Sequence, residues 1–370
     1  MSSNRWWQVD QGRAVNEQNQ KVFAEIAAVL AESIPGWFGA GTRFDASQTP
    51  EWRTFAHSII ARYPAQCGRE TIHLLVKIPH KPNQLDLQAA LADETLRQPA
   101  RNEYEQLRTT WQAFERINDP DCVAIHPLGF LETWNAIVML EIEAQALRTF
   151  LIKPQAGFSQ PGATGQFVGH LRKAARWLRH YHDEVGLRQV GPVSLELMTA
   201  RLDKVADDVA AHLGARAGDN LATLRARMEK FSGIEPTAHL HGDFHGSNIL
   251  VTPQGQVCVL DPRVKSNRQS VYGDLSTLLI DLHLKPIPML TGGVFTRKLL
   301  ALSQQAVVES YFEPGEFQPA LLDFYCACEA IFKWCMDERD FARRKNMRMV
   351  APLARPILTS YMHGLIRRYL

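Results

Sequence analysis

His239-Leu-His-Gly-Asp-Phe-His-Gly-Ser-Asn-Ile-Leu-Val-Thr-Pro-Gln-Gly-Gln-Val-Cys-Val-Leu-Asp261 joins a polar cluster to two short apolar runs with a turn between them. The runs at 249–251 and 257–260 flank Pro-Gln-Gly, the pattern of a β-hairpin. Such a hairpin carries Asp243 and Asn248 at its entrance and Asp261 at its exit. Three oxygen-bearing side chains gathered at one end of a hairpin can serve a proton acceptor and a hard cation.

Upstream, 55–63 (FAHSIIARY) and 71–78 (TIHLLVKI) have the composition of strands, with 64–68 as the turn between them. The second holds Lys77 in an apolar run, where a charge is costly unless it is paired. Two readings stay open: a lysine on an edge strand facing solvent, or an ammonium with a buried partner. Residues 85–114 are helical in character, with Pro99 a break. In the second half Glu103, Leu107 and Trp111 share a face by i, i+4 spacing, and Glu105 is a competing carboxylate. Segments 123–130 and 136–142 are further strands, and 16–34 has the period of a helix that Pro35-Gly36 ends. Beyond Glu143 strand signals nearly vanish, and helical patterns run through 167–185, 195–213, 220–231 and from 272 onward. The expected architecture is α+β: a helical extension (1–35), a small antiparallel-sheet lobe (36–143), and a larger, mainly helical lobe (144–370).

With a formal net charge of +2, the composition makes no case for nucleic acid as a partner. No apolar run is long enough for membrane insertion, and the polar N-terminal residues lack the core of a signal peptide. Six scattered cysteines have no framework spacing, and Cys326 and Cys328 fall in an apolar helical stretch as free core thiols. A cytoplasmic location is expected.

Lys77 on a strand, Glu103 on the next helix, His-Gly-Asp243-Phe-His-Gly-Ser-Asn248, and Asp261 after a hairpin together resemble the aminoglycoside phosphotransferase and choline kinase-like family, which has a protein-kinase-like two-lobe fold. The resemblance spans roughly residues 40 to 300. It implies a small-molecule kinase that moves the γ-phosphoryl group of ATP or GTP to a hydroxyl. In that chemistry the protein positions the groups and stabilises charge. Asp243 is then the catalytic base, Asn248 and Asp261 hold Mg²⁺, and Lys77, steadied by Glu103, pairs with the α- and β-phosphates. Met139 and Glu141 fall in the purine-binding segment between lobes. His241 orients the catalytic loop, and Asp274 braces it.

Two departures stand out. Asp261 is followed by Pro-Arg where protein kinases have Phe-Gly, so the segment has lost conformational freedom. Arg263 is a contact for a phosphate or an acceptor, or else a salt-bridge partner. No G-x-G-x-x-G is present, which leaves 39–44 and 45–49 as candidate phosphate loops. Two alternatives accompany the kinase reading. One is a kinase-like pseudoenzyme that binds nucleotide or a partner. The other is a metallohydrolase using His239, His241, Asp243 and His245, although Phe244 interrupts the zinc spacing. The acceptor site is expected from the C-terminal helices. There 337–370 holds Arg339, Arg343, Arg344, Lys345, Arg348 and further arginines against few carboxylates, which favours a neutral or anionic metabolite (a sugar, an amino-alcohol derivative or a glycan precursor) over a polycation.

Overall fold

The computed structural model describes residues 17–55, 57–81, 87–91, 93–155, 162–263, 267–285, 288, 296–343 and 345–370. They form two compact units. One comprises the described residues up to Gln145 together with Thr252–Pro262, and the other comprises Ala146–Val251 with Arg263–Leu370.

The first unit is built on an antiparallel sheet. Its strands are β1 (Thr42–Arg43), β2 (Glu51–Thr54), β3 (Ser58–Cys67), β4 (Glu70–Pro79), β5 (Pro127–Leu131) and β6 (Ala136–Leu140), in the order β1-β3-β4-β6-β5, with β2 also paired to β3. The middle strand is β4, which pairs Lys77 with Ile60 on one side and Ile137 on the other. Lys77 is therefore not on an edge. The β3–β4 turn is Gly68-Arg69, with Gly68 at φ 60°, so the turn expected at 64–68 forms later and Pro64 lies within β3. β2 covers 59–62 and β1 covers 66–67 along that side of β3. Pro64 falls in the gap between them, where a missing N–H costs least.

Helix α1 (Glu17–Phe38) buries Phe23, Ile26 and Leu30 against Ile59, Ala61, Tyr63 and Val76 of the sheet. It continues past Pro35, the expected terminator, to Phe38. Only the last turn loses a bond there, Trp37 and Phe38 still pack on the core, and the Pro35 carbonyl accepts from Gly39 at 2.9 Å. After the short α2 (Leu87–Leu91), α3 (Arg97–Ile117) carries Pro99 in its first turn, where no helical N–H is lost. The strand Val257–Val259 joins this unit through Cys122, with Val123 donating to the Val257 carbonyl (2.9 Å) and Val257 donating to that of Asp121 (2.8 Å).

The second unit is mainly helical: α4 (Leu147–Gln155), α5 (Ala163–Glu184), α6 (Leu195–His212), α7 (Ala215–Met228), α8 (Tyr272–His283), α9 (Arg297–Tyr311), α10 (Pro319–Arg343) and α11 (Lys345–Tyr369). The amphipathic period of 167–185 is real: α5 buries Leu171, Ala174, Leu178 and Tyr181. The strands Gln189–Pro192, Ile234–Ala238 and Gln269–Ser270 form a small antiparallel sheet. The middle one leads directly into His239. Cys326, Cys328 and Cys335 are free thiols buried along α10.

One buried histidine sets an acid limit on this unit. His283 is 5% exposed, lies 3.2 Å by its Nε2 from the Tyr369 hydroxyl, and is pushed down to about 3, first by burial and then by Arg368. Its folded value lies below the unfolded 6.5, so its contribution to stability is complete above pH 6.5 and declines as pH falls towards 3. The loss reaches about 2 kcal/mol near pH 5. His283→Gln should flatten the fall of the unfolding temperature between these pH values. A pH series of thermal melts with parallel slopes for both proteins would contradict this.

Candidate functional site

In the first unit Lys77 reaches from the middle of the sheet to two carboxylates. Its Nζ is 2.7 Å from Glu103 Oε1 and 2.5 Å from Asp261 Oδ1. Glu103 stands on the inner side of α3 beside buried Leu107, whereas Glu105 points outward and pairs with Arg108 at 2.6 Å. Burial works against the Lys77 charge, but Asp261 and then Glu103 outweigh it and raise the pKa, so the ammonium is firmly held. Glu103 is raised in turn, first by burial, against the pull of Lys77 and with a further push from Asp261. Asp261 follows Val257–Val259 at φ 54°. That conformation costs a non-glycine residue about 1 kcal/mol or more and is held by its surroundings, a mark common at functional sites.

In the second unit the loop after Ile234–Ala238 is held by its backbone. Asp274, 1% exposed at the start of α8, accepts from the His241 N–H (2.7 Å) and the Gly242 N–H (2.8 Å). Its Oδ2 also lies 3.0 Å from His182 Nε2, whose ring places Nδ1 2.6 Å from the Tyr311 hydroxyl. An imidazole carrying its proton on Nε2 satisfies both contacts. Gly242 has φ 79°, a conformation that favours glycine. The loop is fixed again at Gly246, which donates to Asp281 (3.2 Å) and accepts from the Arg148 N–H (3.0 Å). His241 is fully buried among Trp177, Tyr181 and Phe244, with ring centroids 5.6 to 6.1 Å away. That packing is a support for the loop.

Asp243 then projects with defined neighbours. Asn248 Nδ2 donates to its carbonyl (3.1 Å) and to Oδ2 (3.2 Å), which turns the Asn248 amide oxygen the other way. Arg263 Nη2 is 3.3 Å from the same Oδ2, and the Arg263 N–H donates to the His241 carbonyl at 2.7 Å. His245 Nε2 stands 3.7 Å from Oδ1, and burial lowers its pKa despite Asp243 and Asp281. Among the described residues His239, His241, Asp243 and His245 do not bring their ligand atoms within the span of a single metal ion. The zinc-site arrangement is thus not formed.

No family model and no curated protein sequence matches this chain. Solved structures do. A glucosamine kinase in complex with glucosamine, ADP and inorganic phosphate aligns over 93% of this chain and 85% of its own, with a TM-score of 0.55 at 15% identity. A putative aminoglycoside phosphotransferase from Ralstonia eutropha aligns over 91% and 98%, at 0.52 and 13%. An amicoumacin kinase in complex with AMP-PNP, Ca²⁺ and Ami aligns over 93% and 96%, at 0.51 and 11%. The fold is that of the aminoglycoside phosphotransferase-like kinases.

The sheet strand β6 carries Met139 and leads to Glu141. Met139 is buried there, opposite Leu75 and Pro127. Glu141 follows, with its carboxylate engaged by Arg62 (2.9 Å) and His73 (3.3 Å) and its N–H donating to the His73 carbonyl (2.8 Å). Its side chain fastens the chain to the sheet. Of the candidate phosphate loops, 39–44 runs into β1, while 45–49 forms the β1–β2 turn, where Asp45 accepts from the Ser47 N–H at 3.0 Å.

A cavity of about 400 Å³ in the second unit is lined by Asp243 and Arg263, and by α6 and α10 through Arg201, Lys204, Phe332 and Lys333. Among the described residues, none of the basic segment 337–370 expected to build the acceptor site lines it. Arg343 lies ten residues beyond Lys333 on α10, about 15 Å along the axis. Sequence reasoning missed Asp281, Lys204 and Lys333. The i, i+3 spacing of Arg201 and Lys204 on an amphipathic helix was the one available signal.

Proposed function

We propose that this chain transfers the γ-phosphoryl group of a nucleoside triphosphate, ATP or GTP, to a hydroxyl of a small neutral or anionic metabolite. The observation that supports the reading best is Lys77 in mid-sheet bridging Glu103 and Asp261, which holds a positive charge where the nucleotide phosphates are proposed to lie. In this reading Lys77 engages the α- and β-phosphates and Glu103 steadies it. Asp243 takes the proton of the acceptor hydroxyl, and Asn248 keeps that carboxylate oriented. The segment from Met139 to Glu141 meets the purine through its backbone, and the turn 45–49 covers the phosphates. The amide oxygen of Asn248 and the carboxylate of Asp261 are hard donors that suit Mg²⁺. When bound, the cation supplies neutralisation of the phosphate charge. His241 and Asp274 are positioning residues. The free cysteines, five of the six buried, suit a reducing compartment such as the cytoplasm.

Nucleotide consumption across a panel of hydroxylated metabolites tests the proposal. With Mg²⁺, at least one acceptor should stimulate release of nucleoside diphosphate, and chelation by EDTA should abolish it. Consumption that no acceptor stimulates and no chelator stops would contradict it.

A further inference from the structure

The carboxylates that line the cavity beside Asp243 are all engaged within the protein. Asp274 receives the loop N–H groups, and Asp243 faces Arg263. Glu329, with a side chain 4% exposed, pairs with Arg201 and stands 3.6 Å from Lys333. The cations are less fully matched. Lys204 has no carboxylate partner among the described residues, and its ammonium lies 5.9 Å from the Phe332 ring centroid. The Arg201 guanidinium is 6.0 Å from the same ring. Arg268, also lining the cavity, donates to the neutral Leu187 carbonyl at 2.5 Å and has no carboxylate partner among the described residues. Arg201, Lys204 and Lys333 thus share buried Glu329 and the Phe332 ring, with Asp337 the further carboxylate that Lys333 attracts, on helices packed together: three cations to two carboxylates. Like charges around a partly enclosed space repel one another and draw in a counter-ion. A cationic acceptor would add to that repulsion.

We infer that the acceptor is an anion: a small hydroxylated compound with a carboxylate or phosphate group that Lys204 and Lys333 receive while a hydroxyl meets Asp243. The inference rests on the kinase reading of the site. In the reaction the hydroxyl oxygen bonds to the γ-phosphorus. The bond from that phosphorus to the β–γ bridging oxygen breaks, and its electron pair leaves on the nucleoside diphosphate. The hydroxyl proton passes to Asp243. A cavity of about 400 Å³ accepts a molecule of hexose size.

Calorimetric binding at fixed ionic strength tests it, with gluconate and glucose 6-phosphate as anionic probes, glucose as neutral and glucosamine as cationic. The wild type should bind at least one anion about tenfold or more tightly than glucose or glucosamine. The two anions separate a carboxylate from a phosphate preference. Lys204→Glu/Lys333→Glu should abolish that preference. Lys204→Gln/Lys333→Gln, which removes charge without reversing it, should also abolish it while leaving the unfolding temperature in place. Equal binding of all probes, no binding of any, tighter binding of glucosamine, or an anion preference that survives in both double variants would overturn the inference. If it falls while Asp243→Asn still stops turnover, only the acceptor's charge is misassigned. Identical nucleotide turnover by wild type and Asp243→Asn would instead remove the kinase reading itself.

Discussion

Asp243→Asn is expected to lower turnover about a thousandfold while leaving nucleotide affinity within about threefold of wild type. The substitution removes the proton acceptor and, with it, the negative charge that faces Arg263 and His245. An asparagine keeps the shape of the side chain and an oxygen for the Asn248 amide, which donates to the residue 243 carbonyl as well. Its loop is fixed by backbone bonds to Asp274 and Asp281 that the change does not touch. Turnover should therefore fall through kcat, with the unfolding temperature unchanged. Steady-state kinetics beside calorimetric nucleotide binding would check it. A variant that retains turnover would show that residue 243 is not the base.

Asp274→Ala should act through stability. Asp274 is fully enclosed, and the change leaves the N–H groups of His241 and Gly242 and the Nε2 of His182 without their acceptor. Stranded buried donors cost about 1–3 kcal/mol each, which puts the expected loss at roughly 3–5 kcal/mol. Burial by itself would raise the Asp274 pKa. The hydrogen bond from His182 and the pull of the His182 and His241 rings, with the Gly242 N–H, outweigh it and lower it. With the folded value below the unfolded one, this contribution is present above the unfolded value of 3.8 and is lost as pH falls through the folded one. The deficit of the variant should thus be large at neutral pH and shrink in strong acid. Urea unfolding at neutral pH would measure it, and a deficit under about 1 kcal/mol would mean that Asp274 does not hold the loop.

The loop from His239 to Asn248 was legible because its residues are close in sequence. The spacing from Asp243 to Asn248 and the apolar runs after it determine local structure. Lys77 was ambiguous because whether a strand is central or at an edge depends on which strands flank it, and the partners of β4 lie at 58–67 and 136–140. Glu103 and Glu105 share a helix, and only packing, with Arg108 occupying Glu105, separates them. The side chain of Glu141 meets Arg62 and His73 across the sheet, which no local pattern conveys. Pro35 misled because a proline in the last turn of a helix loses little when aromatic residues beyond it still have a core to reach. Lys204 and Lys333 are far apart in sequence and meet only through the packing of α6 on α10.

In the proposed reaction a phosphoryl group moves from nucleotide to hydroxyl with Asp243 as base. Phosphorus NMR of the protein with MgATP and a hydroxylated anion follows the transferred atom directly. A phosphomonoester resonance should grow as the γ-phosphate resonance declines, and Asp243→Asn should show neither change. Inorganic phosphate appearing at the same slow rate with both proteins, and no phosphomonoester with either, would contradict it.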